Sequence, residues 1–206
     1  MAKIAIIYHS GKGHTERQAR AVMEGASKVE GVEIRLISIK EKPNSADIML
    51  FCQEDETIDG WDYLNKADAI IFGSPTYMGS ISFQFKKFMD MSSKVWFRQA
   101  WKDKLAAGFV NSGWPSGDKL NSMLQFVIFA AQHGMIWINP AVIPGNLAKK
   151  DPECTDVNRL GSFMGAMAMS PFDESAEIAP PECDLITARR LGERVAVSTL
   201  RWIKGK

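Results

Sequence analysis

Three short segments of the chain combine glycine with hydroxyl, amide or aromatic side chains, and each follows a run of apolar residues. They are Ser10-Gly11-Lys12-Gly13-His14-Thr15, Gly73-Ser74-Pro75-Thr76-Tyr77-Met78-Gly79 and Asn111-Ser112-Gly113-Trp114. Glycines allow a backbone to curl until several N–H groups converge on one point, and hydroxyl groups add further donors. All three segments are therefore candidate ligand-binding turns.

The first segment, here called the phosphate turn (residues 10–15), joins a buried-strand pattern to the start of a helical pattern. Ser10 and Thr15 add hydroxyl donors, and the N-terminus of the helix adds the positive end of its dipole, so a phosphate is the natural guest. The turn is neither a full dinucleotide fingerprint nor a Walker A loop, because position 16 is Glu and Lys12 lies between the glycines. The alternative interpretation is a tight strand-to-helix turn without a ligand.

The elements that must position these turns alternate along the chain. Strands are predicted at residues 3–8, 32–39, 68–73, 104–110 and 135–138. Helices are predicted from residue 15 to about 26 and over residues 46–51, 82–93, 118–134 and 184–204. This alternation predicts an α/β fold, a doubly wound five-stranded parallel sheet with helices on both faces. In such sheets ligands bind beyond the carboxyl ends of the strands, where the three turns are expected.

Composition is typical of one globular domain spanning residues 1–206, with 46% hydrophobic and 24% charged residues. Residues 139–180 show no steady period, and we expect this long segment to cover a pocket or to form an oligomer contact. No apolar run approaches the about 18 residues of a membrane helix, so no membrane partner is expected. The three cysteines are far apart and odd in number, which favours a reducing cytoplasm over a disulfide framework.

The charge balance also limits the partners. The formal net charge is +1, which argues against a nucleic-acid partner and, more weakly, against a small acidic electron shuttle. The three histidines, His9, His14 and His133, show no metal-ligand spacing, so no metal site is expected.

The three turns also resemble loops of a known protein family. The pattern Ser-x-x-Gly-x-Thr at residues 10–15 resembles the turn of flavodoxin-like proteins that holds the phosphate of FMN. The segment at residues 73–79 resembles a loop of the flavodoxin-like NAD(P)H:quinone oxidoreductases of the WrbA type. Gln132-His133-Gly134-Met135 is similar to the His-Gly-Met segment of that family, and residues 111–113 stand where the family has its third flavin loop. The likeness covers most of the chain.

The resemblance implies a flavodoxin-like fold, FMN as cofactor, NAD(P)H and a quinone-type acceptor as substrates, and a homodimer or homotetramer. It implies hydride transfer from NAD(P)H to FMN, followed by two-electron transfer to the quinone. The implied catalytic residue is His133, and Trp96 is implied to bind substrate. The implied cofactor-binding residues are Ser10, Gly11, Lys12, Gly13, His14, Thr15, Pro75, Thr76, Tyr77, Met78, Gly79, Asn111, Ser112, Gly113 and Trp114.

Several residues depart from the family pattern. Tyr77-Met78-Gly79 replaces Arg-Phe-Gly, Trp114-Pro115-Ser116-Gly117 replaces a glycine-rich loop, and Met164 stands where the family has tyrosine. These changes bear on the preference between NADH and NADPH and on the choice of quinone.

Two alternative functions also remain open. One is a flavodoxin-type electron carrier without NAD(P)H turnover, and the other is a regulatory or scaffold protein without flavin. For His133 the alternative is a favourable charge at a helix C-terminus, and for Trp96 it is an anchor between helix and strand.

Overall fold

The computed structural model describes residues 1–45, 47–145 and 156–205. The strands are β1 Ala2–Tyr8, β2 Val32–Glu41, β3 Ile48–Cys52, β4 Ala69–Tyr77, β5 Ser80–Ile81, β6 Leu105–Ser112, β7 Ile136–Trp137 and β8 Ala166–Met169. The helices are α1 His14–Ser27, α2 Gly60–Lys66, α3 Phe83–Met91, α4 Ser93–Phe97, α5 Lys119–Gln132 and α6 Glu182–Lys204. Strands and helices alternate through most of the chain, as the sequence patterns predict.

One sheet organises the chain, with strand order β3-β2-β1-β4-β6-β7. β1 pairs in parallel with β2 and β4, and β6 pairs in parallel with β4, β7 and β8. The order β2-β1-β4-β6-β7 is the flavodoxin-like arrangement, whose ligand site lies where the order reverses beside the first strand. The predicted α/β flavodoxin-like fold is therefore confirmed.

The prediction of a helix at residues 46–51 is wrong, because the chain forms the edge strand β3 there. β3 pairs antiparallel with β2 over Ile37↔Cys52 to Glu41↔Ile48. Its ends, Ile48 and Cys52, are buried while Met49 is exposed, so one face covers the core and the other faces solvent. Residue 46, where the predicted helix was to begin, lies outside the described residues.

The predicted fifth strand is divided between two segments. β7 pairs only with the beginning of β6, at Leu105↔Ile136 and Ala106↔Trp137. The carboxyl half of β6 instead pairs with β8, from Phe109↔Ala166 to Ser112↔Met169. The irregular segment expected at residues 139–180 thus contributes a strand directly beside the third turn.

Apolar residues pack on both faces of the sheet. On one face Phe72 of β4 contacts Phe85 of α3 and Phe126 of α5, with ring centroids 6.2 and 5.8 Å apart. On the other face α1 and α6 cover β1 and β4. α1 and α6 pack so closely that a Cβ at Gly192 would lie 1.9 Å from the Val22 carbonyl oxygen. Helix α6 therefore fixes α1, and with it the turn that precedes α1.

The composition also led to expectations about disulfides, membrane-spanning helices and metal sites, which the described residues test in part. Cys52 and Cys183 carry free thiols, and Cys154 lies outside the described residues. Within the described ranges, no helix combines the length and the apolar character needed to cross a membrane. Nor do three or more His, Cys, Asp or Glu side chains in those ranges form a cluster able to hold a metal ion.

Candidate functional site

The three turns converge at the carboxyl ends of β1, β4 and β6, where they enclose a cavity of about 550 Å³. All the predicted cofactor-binding residues line this cavity except Gly13, which lies within the phosphate turn. Four lining residues were not predicted from the sequence: Gly117, Asp118, Ser170 and Phe172. The volume of the cavity is in the range of small-molecule and cofactor sites.

The phosphate turn presents unpaired donors to the cavity. Gly13 is the N-cap of α1, has a left-handed backbone with φ of 87°, and has no side chain to accept from the first N–H groups of the helix. The Ser10 hydroxyl is buried and has no hydrogen-bond partner among the described residues. Donors without an acceptor at a helix N-terminus form an anion site, which supports the phosphate interpretation of this turn.

A segment far along the chain covers the phosphate turn. We call it the strap (residues 170–178). Lys12 Nζ donates to the Phe172 carbonyl at 3.4 Å, and His14 Nε2 donates to the Glu174 carbonyl at 2.9 Å. Arg17 donates to the Ala176 carbonyl, also at 2.9 Å. The basic side chains around the turn therefore hold the strap, while the backbone and hydroxyl donors remain for a ligand.

The second turn is a tight hairpin between β4 and β5. Met78 and Gly79 have φ of 47° and 76°, and Tyr77 pairs with Ser80, so a two-residue loop of left-handed conformation closes the hairpin. The Tyr77 ring extends across to the phosphate turn, because a Cβ at Gly11 would lie 2.5 Å from the Tyr77 hydroxyl oxygen. Tyr77 thus connects the first and second walls of the cavity.

The third turn is held by side chains of the strap and of α5. Asn111 Nδ2 donates to Ser170 Oγ at 3.0 Å, and the Ser170 N–H donates to the Ser112 carbonyl at 2.9 Å. Lys119 Nζ donates to Ser112 Oγ at 2.8 Å and to the Trp114 carbonyl. These bonds fix the backbone of the loop, and the Trp114 side chain, 71% exposed, stands at the mouth of the cavity.

Lys119, which lies behind the third turn, is a further residue that was not predicted from the sequence. It is fully buried in the first turn of α5, where a lysine opposes the helix dipole. Its pKa is lowered to about 8, mainly by burial; Asp184 opposes this shift and Arg159 adds to it. The sequence carries one signal for Lys119, since a cationic side chain is unexpected in the first turn of a strongly apolar helix.

The structure does not bring His133 or Trp96 into the cavity. His133 is 1% exposed, and its ring centroid lies 4.5 Å from that of Trp101. Its Nε2 lies 2.9 Å from Ser92 Oγ. Because the Ser92 hydroxyl donates to the Met89 carbonyl at 2.7 Å, His133 donates in this pair and is the neutral Nε2–H tautomer. Burial lowers the pKa of His133 to about 4.

His133 and Trp96 instead line a second cavity of about 300 Å³ between α3, α4 and α5. They are thus brought together with each other and not with the three turns. The catalytic role of His133 and the substrate-binding role of Trp96 stay predictions.

Comparison with known proteins places this geometry in a family. A family model described as NADPH-dependent FMN reductase matches residues 2–148, which include all three turns. The chain belongs to this family. The NADPH-dependent FMN reductase family is a family of flavoproteins with oxidoreductase activity, so the predicted resemblance is confirmed at that level.

Two curated relatives and one solved structure are similar over nearly the whole chain. Flavodoxin FldP of Pseudomonas aeruginosa is 39% identical over 95% of this chain and 96% of its own length. A protein of Archaeoglobus fulgidus named NAD(P)H dehydrogenase (quinone) is 31% identical, with the same coverage. The crystal structure of a WrbA-like flavodoxin from Agrobacterium tumefaciens is 39% identical, with a TM-score of 0.67 over 98% of this chain and 99% of that chain.

The cofactor of the family, FMN, fits the cavity. The phosphate turn offers the orphaned Ser10 hydroxyl and the N-terminus of α1 to a phosphate, and the glycines leave the backbone accessible. The hairpin and the third turn offer Tyr77 and Trp114 as aromatic surface for a flat ring. FMN is therefore the cofactor of this protein, and the alternative of a flavin-free scaffold is set aside.

Proposed function

We propose that this protein is an FMN-dependent NAD(P)H:quinone oxidoreductase. The observation that carries the proposal is the mouth of the cavity, which is apolar and aromatic on several sides. Tyr77 is 47% exposed, Trp114 71%, Phe172 75%, and Met78 is fully exposed. All four line the cavity. Exposed aromatic and apolar side chains beside a cofactor site suit a planar, weakly polar substrate such as a quinone.

The bound FMN would supply the redox chemistry, accepting a hydride from NAD(P)H and returning two electrons to the quinone. The protein positions it. Ser10 and the backbone of residues 11–15 hold the phosphate, and the hairpin at residues 76–79 fixes one edge of the ring site. Trp114 shields another edge from water.

The reaction needs one proton more than NAD(P)H brings, and the side chains of the cavity indicate its source. The quinone takes up two electrons and two protons to become a quinol, whereas NAD(P)H brings two electrons and one proton. Among the described lining residues, His14 holds the strap, and burial raises the pKa of Tyr77 above its ordinary value. We infer that the remaining proton comes from solvent through the open mouth.

Steady-state oxidation of NADPH or NADH with benzoquinone, in the presence of bound FMN, tests the proposal. We expect turnover with ping-pong kinetics, since one mouth serves both substrates in turn. Trp114→Ala should raise KM for the quinone, while Phe97→Ala, an 82% exposed aromatic that does not line the described cavity, should leave it unchanged. Absence of turnover from FMN-loaded protein would refute the enzyme proposal.

A flavodoxin-type electron carrier is the second candidate. It is favoured by the names of the two 39% identical proteins, both of which are called flavodoxins. The net charge of +1 argues against it, because carriers use strong negative charge to steer towards basic partners. FMN-loaded protein that accepts electrons from a chemical reductant, but never from NAD(P)H, would establish this alternative.

We also infer a homodimer or homotetramer. Helix α5 exposes Leu120, Leu124 and Ile128, three apolar side chains spaced four residues apart on one face. Such a stripe on a surface helix supports burial against another copy. Sedimentation equilibrium tests the inference, and Leu124→Glu should shift the protein towards monomer. A monomeric wild-type protein at micromolar concentration would contradict it.

A further inference from the structure

Lys119 is a buried cation beside the FMN site that the proposed reaction does not use. Its side chain is 0% exposed, and charged side chains are seldom fully buried unless they have a specific partner. Two partners are the Ser112 hydroxyl, at 2.8 Å, and the Trp114 carbonyl. Both residues line the cavity, so the ammonium lies one hydrogen bond behind its wall.

Among the described residues, no carboxylate forms an ion pair with the Lys119 ammonium. Asp184 of α6 is buried, but it accepts two hydrogen bonds from Arg159, each 2.9 Å long, and one from the Met169 N–H. Asp184 is therefore engaged by Arg159 and forms no ion pair with Lys119, although it acts on Lys119 from a distance more strongly than Arg159 does. Lys119, Arg159 and Asp184 together carry one net positive charge. Low polarity inside the protein lets that charge act over a longer distance than it would in water.

A positive charge at this place has a defined effect on a flavin. Reduction by a hydride adds two electrons and one proton, so the ring gains one negative charge. A fixed cation near the ring favours the more negative form. It therefore strengthens the binding of reduced FMN relative to oxidised FMN and raises the reduction potential.

We propose that Lys119 is a positioning residue of the FMN site. It fixes the third turn through Ser112 and Trp114, and its positive charge behind that turn favours reduced over oxidised FMN. The two contributions are separable, because glutamine retains a hydrogen-bond donor without the charge, whereas methionine retains neither.

The two-electron midpoint potential of bound FMN tests the charge. In Lys119→Met and in Lys119→Gln, we expect the ratio of affinities for reduced and oxidised FMN to fall about tenfold. This corresponds to a potential about 30 mV more negative. The exposed Lys28, at the end of α1, provides the matched control. Lys28→Met makes the same change in net charge and should leave the potential unchanged.

The dissociation constant of oxidised FMN tests the hydrogen bonds. Fluorescence titration should show weaker binding in Lys119→Met than in Lys119→Gln, because only the glutamine can still donate to the third turn. A wild-type potential in Lys119→Gln would overturn the charge effect, and equal FMN affinities in the two variants and the wild type would overturn the role in fixing the turn. If Lys119→Met does not fold, Lys119→Gln alone decides the charge effect, and Lys119→Ala replaces the methionine in the titration. No measurement uses NAD(P)H or quinone, so the results are independent of the proposed activity.

Discussion

Gly13 offers the most direct test of the phosphate turn. Its φ of 87° is left-handed, a conformation that costs a residue with a side chain about 1–2 kcal/mol. A Cβ at this position would lie 2.8 Å from Ala176 Cβ in the strap, so Gly13→Val must displace either the turn or the strap. Loss of one charge-assisted hydrogen bond to the phosphate costs about 1.5–3 kcal/mol. This weakens FMN binding about 10- to 150-fold.

Gly31→Val is the matched control for this substitution. Gly31 has nearly the same φ, 84°, but the atom nearest to its added Cβ is Leu200 Cδ2, at 3.7 Å, and it lies in the turn before β2. Urea unfolding should show a loss of about 1–2 kcal/mol in Gly31→Val and at least as large a loss in Gly13→Val, where the added side chain also meets Ala176. Fluorescence titration should show weaker FMN binding only in Gly13→Val. Equal FMN affinity in the two variants would refute the assignment of the phosphate to this turn.

Three other outcomes concern stability and substrate binding. His133 has its pKa lowered from 6.5 to about 4, so between these pH values the unfolded chain binds the proton and the folded chain does not. The free energy of unfolding should therefore fall as the pH is lowered through this window. The fall should be about 2–3 kcal/mol larger in the wild type than in His133→Gln. Urea unfolding measured at several pH values would contradict this if the two proteins lost stability in parallel. Gly192→Ala places a Cβ 1.9 Å from a carbonyl oxygen of α1 and should cost about 3 kcal/mol or more in urea unfolding. Gly205→Ala, whose added Cβ would lie 3.7 Å from the nearest atom, should lower the free energy of unfolding much less. If the two variants lose the same amount, the close packing of α1 on α6 does not contribute to stability as described. Phe172→Ala should raise KM for the quinone with only a small loss of stability. Carbonyl groups hold the strap, and the Phe172 ring adds one contact, with Lys12 Nζ 5.8 Å from its centroid. An unchanged KM would exclude Phe172 from the substrate site.

The walls of the cavity that follow β1, β4 and β6 were predictable because their signals are local. Each combines a short apolar run with glycine and hydroxyl residues directly after it, and the geometry of parallel strands then brings the three turns to one edge. The fold class followed from the same alternation. Local patterns were thus sufficient for these three walls.

The strap and Lys119 were not predictable, since their roles depend on contacts between distant residues. His14 and Glu174 are 160 residues apart in sequence, and nothing in either local pattern indicates their hydrogen bond. The strand β3 was missed for a different reason. Its five residues are too short to separate a strand from a helix by periodicity, and only pairing with β2 decides the outcome.

The close contact between α1 and α6 also bears on the order in which the protein becomes functional during synthesis. Residues 166–204 provide β8, the strap and α6. The strap contributes Ser170 and Phe172 to the lining of the FMN site, and α6 fixes α1, although the phosphate turn is synthesised first. A ribosome-bound nascent chain that has exposed only the first 140 or so residues contains all three turns without the segments that hold them. FMN is therefore expected to bind only after α6 has left the ribosome.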